Sequence, residues 1–388
     1  MAILTCQRDA YQRSLTVPVH EVLPVEAGVE VILEDTILYP EGGGQPDDHG
    51  TLAGQPVLGL RKTVEGRVAH RLAAAPTQAS VELMVDWTRR FDHMQQHTAQ
   101  HLISALAADR FDALTTAFHL RDGVCDIDLS RKLTQREANA LQAAVNDEIR
   151  AARPVQHTLV SAEALDSVRT RGLPKGLSGP VRLVEIEGID RNTCGGTHVA
   201  NLAELQAVVL LPPLSQKGGC KLRYLAGGRV ISGLRSAHDH EVTLSRRLSC
   251  GPEAHAEAIS RLQGDAKRAA REKKALMMEL SGLRGIELAR SGAARFHHED
   301  ADLGFLRGVG TAAAAEAPER VFVLTGGTDG QPGVFMLIGP ADAVAAKGPL
   351  VAAAVSGRGG GAKLASGGQR ELAPEGPRRA AGALRGCG

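Results

Sequence analysis

The chain has 388 residues, of which 43% are hydrophobic and only 3% aromatic, and its formal net charge is +1 at pH 7. This length predicts two or three domains, and the low aromatic fraction predicts cores of Leu, Val, Ile and Ala. The near-zero net charge excludes a positive field over the whole protein that would attract nucleic acid. No apolar run reaches the roughly 18 residues of a transmembrane helix, so no membrane partner is expected. The first residues become charged before a signal-peptide core could form, which predicts a cytoplasmic protein.

Residues 1–88 have the pattern of short β-strands. The runs VEVILED, QPVLGLRK and ASVELMVDW are rich in Val and Leu and are separated by Gly, Pro and Asp. Between the first two lies YPEGGGQPDDHG, which has the turn residues of a loop. We therefore expect an N-terminal small β-barrel or curled sheet that carries a triple-glycine loop.

Residues 89–240 have the pattern of an α+β domain. An apolar helix side is formed by Phe91, Met94, Leu102, Ile103 and Leu106. A second helix is predicted over residues 133–151, with Thr134 as its N-cap and Glu137 completing a capping box. The runs VRLVEIEG, LQAVVLLPP and KLRYLAGGRVI then predict three strands.

Residues 241–292 are predicted to be a helical segment. Within it, apolar residues recur at heptad spacing at Ile259, Leu262, Ala266, Ala269, Leu276, Leu280 and Leu283. Lys273 interrupts this series once. Two to three heptads could form a coiled coil, and thus a homodimer through residues 259–283, but a surface helix packed on its own domain fits the pattern equally well.

The C-terminal part is predicted to be an α/β domain over residues 293–370, because RVFVLTGG and GVFMLIGP are typical of buried strands. The glycine-rich stretches SGRGGG and SGGQ follow them. Residues 371–388 are rich in Gly, Ala and Arg and predict a disordered basic tail.

Two short motifs contain candidate metal ligands. HMQQHTAQH places His93, His97 and His101 at four-residue intervals, so that neighbouring rings lie about 40° apart around a helix. Alone this spacing is more often structural than metal-binding, and the Glu of an HExxH motif is absent. RNTCGGTHV places Cys194 and His198 four residues apart, although Cys194 could also be a buried thiol beside a turn. Cys and His are the ligands that Zn²⁺ prefers, and two pairs from separate elements suffice for a tetrahedral site.

The six cysteines of the chain are scattered and never form a Cys-x-x-Cys pair. In a chain of this size without a secretory signal, that pattern favours free thiols, with one metal ligand among them, over a disulfide framework.

The paired motifs HTAQH and CGGTH resemble the editing domain of alanyl-tRNA synthetases, which is shared with threonyl-tRNA synthetases. EDTILYPEGGGQPDDHG resembles the N-terminal motif of free-standing alanyl-tRNA editing proteins, and CQRDAY and VDWTRRFDHMQQH are similar to the long, AlaX-type members found in animals. SGRGGG and SGGQ resemble the glycine-rich motif of their C-terminal domain. The resemblance implies an α+β protein with an N-terminal β-barrel, a zinc-containing editing domain, a helical segment and a glycine-rich α/β domain.

The same resemblance implies one zinc ion per chain, held by His97, His101, Cys194 and His198, and it leaves His93 behind the ligands or on the surface. It implies an aminoacyl-tRNA deacylase whose partner is tRNA(Ala) mischarged with serine. Whether tRNA(Ala) mischarged with glycine is also a substrate is left open. The aminoacylation motifs are missing, so the protein is expected to correct and not to charge.

Candidate substrate residues surround the glycine loop. Its backbone N–H groups could approach a ligand closely at Gly42, Gly43 and Gly44, although a tight turn would need the same glycines. Three further candidates for the catalytic site are Thr36, Gln45 and Gln100. Thr36 matches the family position linked to serine recognition, but it is also a residue typical of strands. Gln100 faces the same cavity if the helix lies as predicted.

Contacts to RNA would have to come from local cations, and the candidates are Lys217, Lys221, Arg223, Arg229, Arg358, Lys363 and Arg370. All of them could equally be solvated surface charges. Two other functions stay open: a non-catalytic, zinc-stabilised adaptor for RNA or protein that retains the editing fold, and a metallohydrolase for another ester. The intact ligand motifs and glycine loop favour the deacylase.

Overall fold

The computed structural model describes residues 3–161, 181–328 and 333–354 in full, and the backbone of residues 357–360 and 364–369. The chain forms two compact units, Met1–Val242 and Thr243–Gly388. Both contain helices and sheets, which confirms the α+β class. The division at residues 88, 240, 292 and 370 stays a prediction. None of the described helices is long and apolar enough to cross a membrane.

The first unit begins with a short helix, α1 (Thr5–Arg8), and a seven-stranded antiparallel sheet. Its strands are β1 (Ser14–Val25), β2 (Gly28–Leu33), β3 (Gly50–Leu52), β4 (Gln55–Pro56), β5 (Gly59–Lys62), β6 (Val68–Leu72) and β7 (Ser80–Val85). The strand order is β4-β3-β7-β1-β2-β6-β5, and the long β1 pairs with β7 through its first half and with β2 through its second. The two outer strands do not pair with each other in the described residues, so the sheet is curled and the closed barrel is not formed. Outer strand β4 has only two residues, and Pro56 has no N–H to donate to a further strand.

Two further sheets and two helices complete this unit. The helices are α2 (Trp87–Phe111) and α3 (Gln135–Arg150), and the strands are β8 (Thr115–His119), β9 (Cys125–Leu129), β10 (Val155–Val160), β11 (Val181–Ile186), β12 (Asp190–Thr193), β13 (Val208–Leu210), β14 (Leu214–Gln216) and β15 (Gly219–Ala226). One sheet has the order β10-β11-β12 and the other β13-β15-β9-β8, with β14 paired to β15. The predicted capping box is confirmed, because the hydroxyl of Thr134 accepts from the N–H of Glu137 and the Glu137 carboxylate accepts from the N–H of Thr134.

Helix α2 lies in the middle of the first unit, and every residue from His93 to Ala107 is buried. Met94, Leu102, Ile103 and Leu106 pack in the core as predicted. The polar residues between them are also buried, which the helical pattern alone did not indicate. Polar side chains can be buried when they are hydrogen-bonded. Gln96 satisfies this condition with both the N–H and the carbonyl of Ala226 on β15.

A fully buried ion pair joins α2 to the N-terminal sheet. Arg90 and Asp48 both have no exposed side-chain surface. The guanidinium of Arg90 also donates to the carbonyls of Ala10 and Ile37, and the carboxylate of Asp48 accepts from the N–H of Tyr39 at 2.6 Å. The pair therefore fixes both ends of the glycine-loop segment, Tyr39 and Asp48, against the helix that carries the histidines.

The second unit contains a long helix and a five-stranded sheet. Helix α4 (Gly228–Leu248) leads across the boundary, and α5 (His255–Arg290), α6 (Leu303–Glu316) and α7 (Ala341–Ala354) follow. The sheet has the order β16-β17-β18-β20-β19, from β16 (Arg295–His298), β17 (Phe322–Gly326), β18 (Val334–Ile338), β19 (Gly357–Gly360) and β20 (Leu364–Gln369). The two strands predicted from RVFVLTGG and GVFMLIGP are confirmed as β17 and β18. The side chain of Arg358 on β19, together with Lys363, Arg370 and the predicted tail 371–388, lies outside the described residues.

Helix α5 packs on its own unit only near its C-terminal end. There Ser281, Gly285 and Leu288 are buried, and a Cβ at Gly285 would lie 2.3 Å from the carbonyl oxygen of Val309 on α6. Before that point the helix is exposed, apart from Ala258 and the half-buried His255 and Met277. The prediction of a surface helix packed on its domain therefore holds for the last turns alone.

The buried pair predicts an asymmetry between two aspartates that contact arginines of α2. Asp48→Ala removes the partner of Arg90 and leaves a buried charge unpaired, which typically costs about 3–5 kcal/mol. Asp122→Ala removes the exposed partner of Arg89 and serves as the control, since exposed pairs contribute little. Urea unfolding of both variants measures the difference. Equal loss of unfolding free energy in the two variants would contradict the role given to the buried pair.

Candidate metal centre

Four side chains that could bind one metal ion meet between α2 and the loop after β12. The ligand atoms of His97, His101, Cys194 and His198 all lie within 4.8 Å of one another. The Cys194 Sγ is 3.5 Å from His97 Nε2 and 3.2 Å from His198 Nε2. The three histidines are buried and Cys194 is partly exposed. The structure thus brings together the four residues that were predicted as ligands.

Each imidazole is oriented by a different partner on its other nitrogen. The Nδ1 of His97 lies 2.9 Å from Oε1 of Gln45, the Nδ1 of His101 lies 3.1 Å from Oδ2 of Asp190, and the Nδ1 of His198 lies 3.1 Å from Oγ1 of Thr98. A histidine that donates through Nδ1 keeps the lone pair of Nε2 for a metal, and such partners fix the tautomer and the ring plane. All three Nε2 atoms are therefore directed to the same place.

The charges of the cluster favour a thiolate. Burial alone would raise the pKa of Cys194, but the neighbouring imidazoles of His97 and His198 and hydrogen bonds to His101 and His198 hold that pKa well below its usual value. The N–H of Gly196 also donates to the sulfur at 3.4 Å. Burial lowers the pKa of His198 to about 3, whereas bonds to Asp190 and Cys194 outweigh burial and raise the pKa of His101 to about 9. Metal binding would then release the proton of His101.

The donor set and its spacing fit zinc. Tetrahedral Zn²⁺ with bonds of about 2.0–2.1 Å to nitrogen and about 2.3 Å to sulfur has ligand atoms roughly 3.3–3.6 Å apart. The sulfur–nitrogen distance of 3.5 Å falls within this range, and that of 3.2 Å lies just below it. Three imidazoles and one thiolate form a borderline-soft set, unlike the oxygen ligands that Mg²⁺ and Ca²⁺ require.

The loop from Cys194 to His198 needs its glycines and a buried arginine. A Cβ at Gly196 would lie 2.3 Å from the His97 ring and 2.7 Å from Oε1 of Gln45, so no larger residue fits there. The Arg182 guanidinium donates through Nη1 to the carbonyls of Cys194 and Gly196 at 2.9 and 2.8 Å. These bonds hold the loop in the conformation that points the sulfur toward the histidines.

The glycine loop lies beside the cluster through Gln45. Gln45 is fully buried, and besides His97 its amide bonds to both the N–H and the hydroxyl of Thr197. Gly42 and Gln45 bond reciprocally through their backbones, which is the tight turn offered as the alternative. Gly43 and Gly44 have positive φ, at 59° and 81°, and a Cβ at Gly44 would lie 2.6 Å from the Phe118 ring. Phe118 in turn contacts the His97 ring at a centroid distance of 5.8 Å.

Thr36 and Gln100 have other partners. The buried hydroxyl of Thr36 bonds to Nε2 of His70 at 2.9 Å and accepts from the N–H of Leu38 at 3.0 Å. The amide of Gln100 donates to Ser104 at 2.8 Å. Among the described bonds, none joins either residue to a metal ligand, so their roles in substrate recognition stay predictions.

Other sequence expectations are corrected by the structure. His93 is buried, which excludes the surface alternative and leaves the alternative behind the ligands; burial lowers its pKa to about 4, and its Nδ1 has no hydrogen-bond partner in the described chain. Two proposed RNA contacts are engaged in ion pairs: Lys221 pairs with Asp126 and Asp128, and Arg229 pairs with Asp92. Lys217 is exposed.

Three residues that hold the ligands in place, Thr98, Asp190 and Arg182, were not predicted from the sequence. Thr98 follows a ligand directly on α2, and Asp190 lies four residues before Cys194, so proximity to the motifs was the available signal. Arg182 gave no signal, because a single arginine in a strand is usually a surface residue.

Comparison with known proteins gives one consistent picture. Residues 181–228, which include Cys194 and His198, match the family described as the threonyl and alanyl tRNA synthetase second additional domain. The chain is 38% identical over 386 residues to the alanyl-tRNA editing protein Aarsd1 of Rattus norvegicus, covering 94% of this chain and 92% of that protein. It is 35% identical over 376 residues to Aarsd1 of Danio rerio, covering 92% and 91%. It is 32% identical over 228 residues to the alanyl-tRNA editing protein AlaX-M of Methanosarcina barkeri, covering 54% of this chain and 92% of that protein.

The geometry predicts about one zinc per chain and a graded series of losses. Cys194→Ala removes a ligand and should strongly reduce the zinc content of purified protein. Asp190→Ala keeps all four ligands but frees the His101 ring, and loss of such a partner typically weakens metal binding by about 10–100-fold. Plasma emission and competition with a chelating dye measure content and affinity.

Glu187→Ala is the control for this series, since it removes an exposed carboxylate from the turn before Asp190. Full zinc occupancy in a His97→Ala, His101→Ala double variant would show that the site lies elsewhere.

Proposed function

The chain belongs to the family of alanyl-tRNA editing proteins, and on that premise we propose that it is an aminoacyl-tRNA deacylase that acts in trans on mischarged tRNA(Ala). Its main substrate is Ser-tRNA(Ala), and Gly-tRNA(Ala) is the second candidate. The observation that carries the proposal is the convergence of His97, His101, Cys194 and His198 within 4.8 Å, beside a glycine loop that is bonded to one of them through Gln45.

The reaction is hydrolysis of the ester between the amino acid and the terminal ribose. Zinc held by the four residues would supply a positive centre that polarises the ester carbonyl. Four protein ligands make a closed site, which is the usual structural pattern, so the surrounding residues must contribute much of the orientation. Gln45, Asp190 and Thr98 hold the rings, and Arg182 holds the Cys194–His198 loop.

The glycine loop is the proposed wall for the aminoacyl end. Gly43 and Gly44 are exposed, and no described atom lies within 4 Å of a Cβ placed at Gly43, so a ligand can approach the backbone there. The ammonium group of Lys62 lies beside this loop, since its Nζ is 2.6 Å from the position that a Cβ at Gly42 would occupy. We propose that Lys62 and the exposed Lys217 contact tRNA phosphates, in preference to the engaged Lys221 and Arg229.

Serine differs from the cognate alanine by one hydroxyl, so the pocket must read that group. A site that hydrogen-bonds a substrate hydroxyl rejects the analogue without it, because its own polar group is left unpaired. Thr36 is the proposed reader. Because Nδ1 of His70 donates to the carbonyl of Val31 at 3.1 Å, its Nε2 accepts the proton of the Thr36 hydroxyl. Thr36 is therefore proposed to accept, and not to donate, in a bond with the serine hydroxyl.

The proposal is tested by deacylation of three substrates with the full chain: Ser-tRNA(Ala), Ala-tRNA(Ala) and Ser-tRNA(Ser). Hydrolysis of Ser-tRNA(Ala) alone is expected, because the protein must recognise both serine and tRNA(Ala), and only this substrate contains the two together. Cys194→Ala should abolish it. Tight binding of Ser-tRNA(Ala) without hydrolysis would instead support the non-catalytic adaptor.

The exposed part of α5 supports a second proposal, a homodimer. Leu262, Leu276 and Leu283 of the heptad series are 55–64% exposed, and the helix around them has little packing of its own. Most helical stability in proteins comes from the packing of an apolar face, so a partner helix that covers these leucines would stabilise this one. The positions flanking the series on one side are acidic, at Asp265, Glu272 and Glu279. These would repel one another in an antiparallel pair, and we therefore propose parallel pairing.

Thr36→Val separates recognition of serine from support of the fold. It removes the hydroxyl, which costs about 0.5–1.5 kcal/mol per hydrogen bond, and should slow hydrolysis of Ser-tRNA(Ala) by roughly several-fold to tenfold or more. Gly-tRNA(Ala) has no hydroxyl to lose and should change less. Thr36→Ser keeps the hydroxyl and is the control. Equal slowing on both substrates would mean that Thr36 only holds His70 and Leu38 in place.

Leu276→Lys tests the dimer. It places a charge in the apolar series and should shift the protein toward monomer in sedimentation velocity across a concentration series. The matched control is Met278→Lys, since Met278 is similarly exposed, at 67% against 64%, but lies off the series. A wild-type chain that stays monomeric at the highest concentration would remove the proposal.

A further inference from the structure

Three successive carbonyl groups in the loop that follows β12 are held by donors outside that loop. The carbonyls of Cys194 and Gly196 accept from the same atom, Nη1 of Arg182, at 2.9 and 2.8 Å. The carbonyl of Gly195, which lies between them, accepts from Nε2 of Gln7 at 2.9 Å. The orientation of each peptide plane in this stretch is therefore fixed from outside.

The N–H groups of the same peptide bonds point the opposite way, toward the metal centre. A trans peptide unit is planar with its C=O and N–H antiparallel, and the described chain contains no cis peptide bond. The N–H of Gly196 donates to Sγ of Cys194 at 3.4 Å, and the N–H of Thr197 donates to Oε1 of Gln45 at 3.0 Å. One acceptor is a candidate metal ligand, and the other is bonded to the ligand His97.

The N–H of Gly195 belongs to this row but has no acceptor among the described residues. Because the carbonyls of Cys194 and Gly196 bond to one atom of Arg182, the N–H groups of Gly195 and Thr197 leave the loop on the same side. Gly195 is exposed, and a Cβ placed on it would have one described atom within 4 Å apart from its chain neighbours. A ligand can therefore reach this N–H, which differs from the other two in being free to donate.

A closed metal site leaves a task for such a donor. Four protein ligands complete a tetrahedral zinc site, so protein donors must stabilise much of the charge that develops on an ester carbonyl oxygen. Backbone N–H groups that are fixed before the reaction are common donors to such oxyanions. The glycine loop, which is the proposed wall for the aminoacyl end, is joined to the same side of the Cys194–His198 loop through Gln45.

We propose that the N–H of Gly195 donates to the carbonyl oxygen of the bound ester as that oxygen becomes an oxyanion. The inference rests on the proposed function and adds to it a group that touches the reacting atoms. Gln7 and Arg182 are then positioning residues, because they fix the peptide planes on either side of Gly195.

The step is balanced as follows from ordinary ester hydrolysis. The oxygen of a water molecule forms a bond to the carbonyl carbon, and the π electron pair moves to the carbonyl oxygen, where the N–H of Gly195 stabilises it. The pair then returns as the bond between the carbon and the ribose oxygen breaks. One proton of the water ends on the ribose oxygen, and the other is released from the carboxylic acid. Gly195 neither gains nor loses a proton.

Gly195→Pro and Gly195→Ala form a matched pair, because proline has no N–H and alanine keeps it. In the zinc-loaded full chain, Gly195→Pro should lower kcat on Ser-tRNA(Ala) by about 100–1,000-fold with little change in KM, as expected for loss of one oxyanion donor. Gly195→Ala should stay near the wild type, and zinc content is measured in both. Undiminished hydrolysis by zinc-loaded Gly195→Pro would overturn the proposal.

Two adenosine derivatives test the donor without catalysis. One has serine attached to the 3′ position as an amide, which keeps a planar carbonyl, and the other has the phosphonate analogue of serine, which is tetrahedral and negatively charged. The wild type and Gly195→Ala should bind the phosphonate more tightly than the amide. Gly195→Pro should reduce this preference by about 10–100-fold, because bonds to charged groups are the stronger ones. Equal loss of affinity for both compounds in the zinc-loaded variant would overturn the proposal.

A backbone ester decides the matter if Gly195→Pro loses zinc or fails to fold. Cell-free translation with a hydroxy acid replaces the N–H of Gly195 by an oxygen and leaves the backbone angles of glycine available. The control is the same replacement at Gly218, an exposed residue in the turn between β14 and β15. The first ester should reduce the preference for the phosphonate and the second should not. Identical preferences in the two esters would overturn the donor.

The two proposals can fail separately. If the preference for the phosphonate depends on the N–H of Gly195 but Ser-tRNA(Ala) is not hydrolysed, the donor stands and the deacylase is wrong. If Ser-tRNA(Ala) is hydrolysed and the ester at Gly195 changes neither kcat nor the preference, the deacylase stands and the donor is wrong.

Discussion

The first unit is built around a helix that is buried on all sides although it carries many polar residues. From His93 to Ala107 no residue of α2 is exposed, and this stretch includes His97, Gln100 and His101. An unsatisfied polar group in such a place costs about 1–3 kcal/mol, so each side chain needs a partner from a neighbouring element. The surrounding chain supplies many of these partners: β15 bonds to Gln96, and Gln45 and Asp190 bond to two of the histidines, whereas Nδ1 of His93 is left without one in the described chain.

This requirement explains why the glycine loop and the metal centre form one structure. Asp48 pairs with Arg90 inside the protein, and Gln45, three residues earlier, bridges His97 and Thr197. The N-terminal sheet therefore contributes to the orientation of the ligands although it contains none of them. A substrate held by the glycine loop would be positioned by the same bonds that orient the imidazoles, which is the pre-organisation that catalysis requires.

The sequence predicted the features that depend on local pattern. The capping box of Thr134 and Glu137, the strands β17 and β18 and the cluster of four candidate metal ligands were all found in the expected places, because spacing or a family motif determines them. What it could not predict was the choice of partner. Lys221 and Arg229 look like free cations in the sequence, yet both are paired across strands or helices distant in the chain. Thr36 likewise bonds to His70, which is 34 residues away.

The central claim is that three imidazoles and one thiolate hold a single zinc ion between α2 and the Cys194–His198 loop. X-ray absorption at the zinc edge of the full-length protein tests it directly, because sulfur and nitrogen neighbours scatter at different distances. The account predicts three nitrogen neighbours at about 2.0–2.1 Å and one sulfur at about 2.3 Å. A first shell without sulfur, or with two sulfurs, would contradict it.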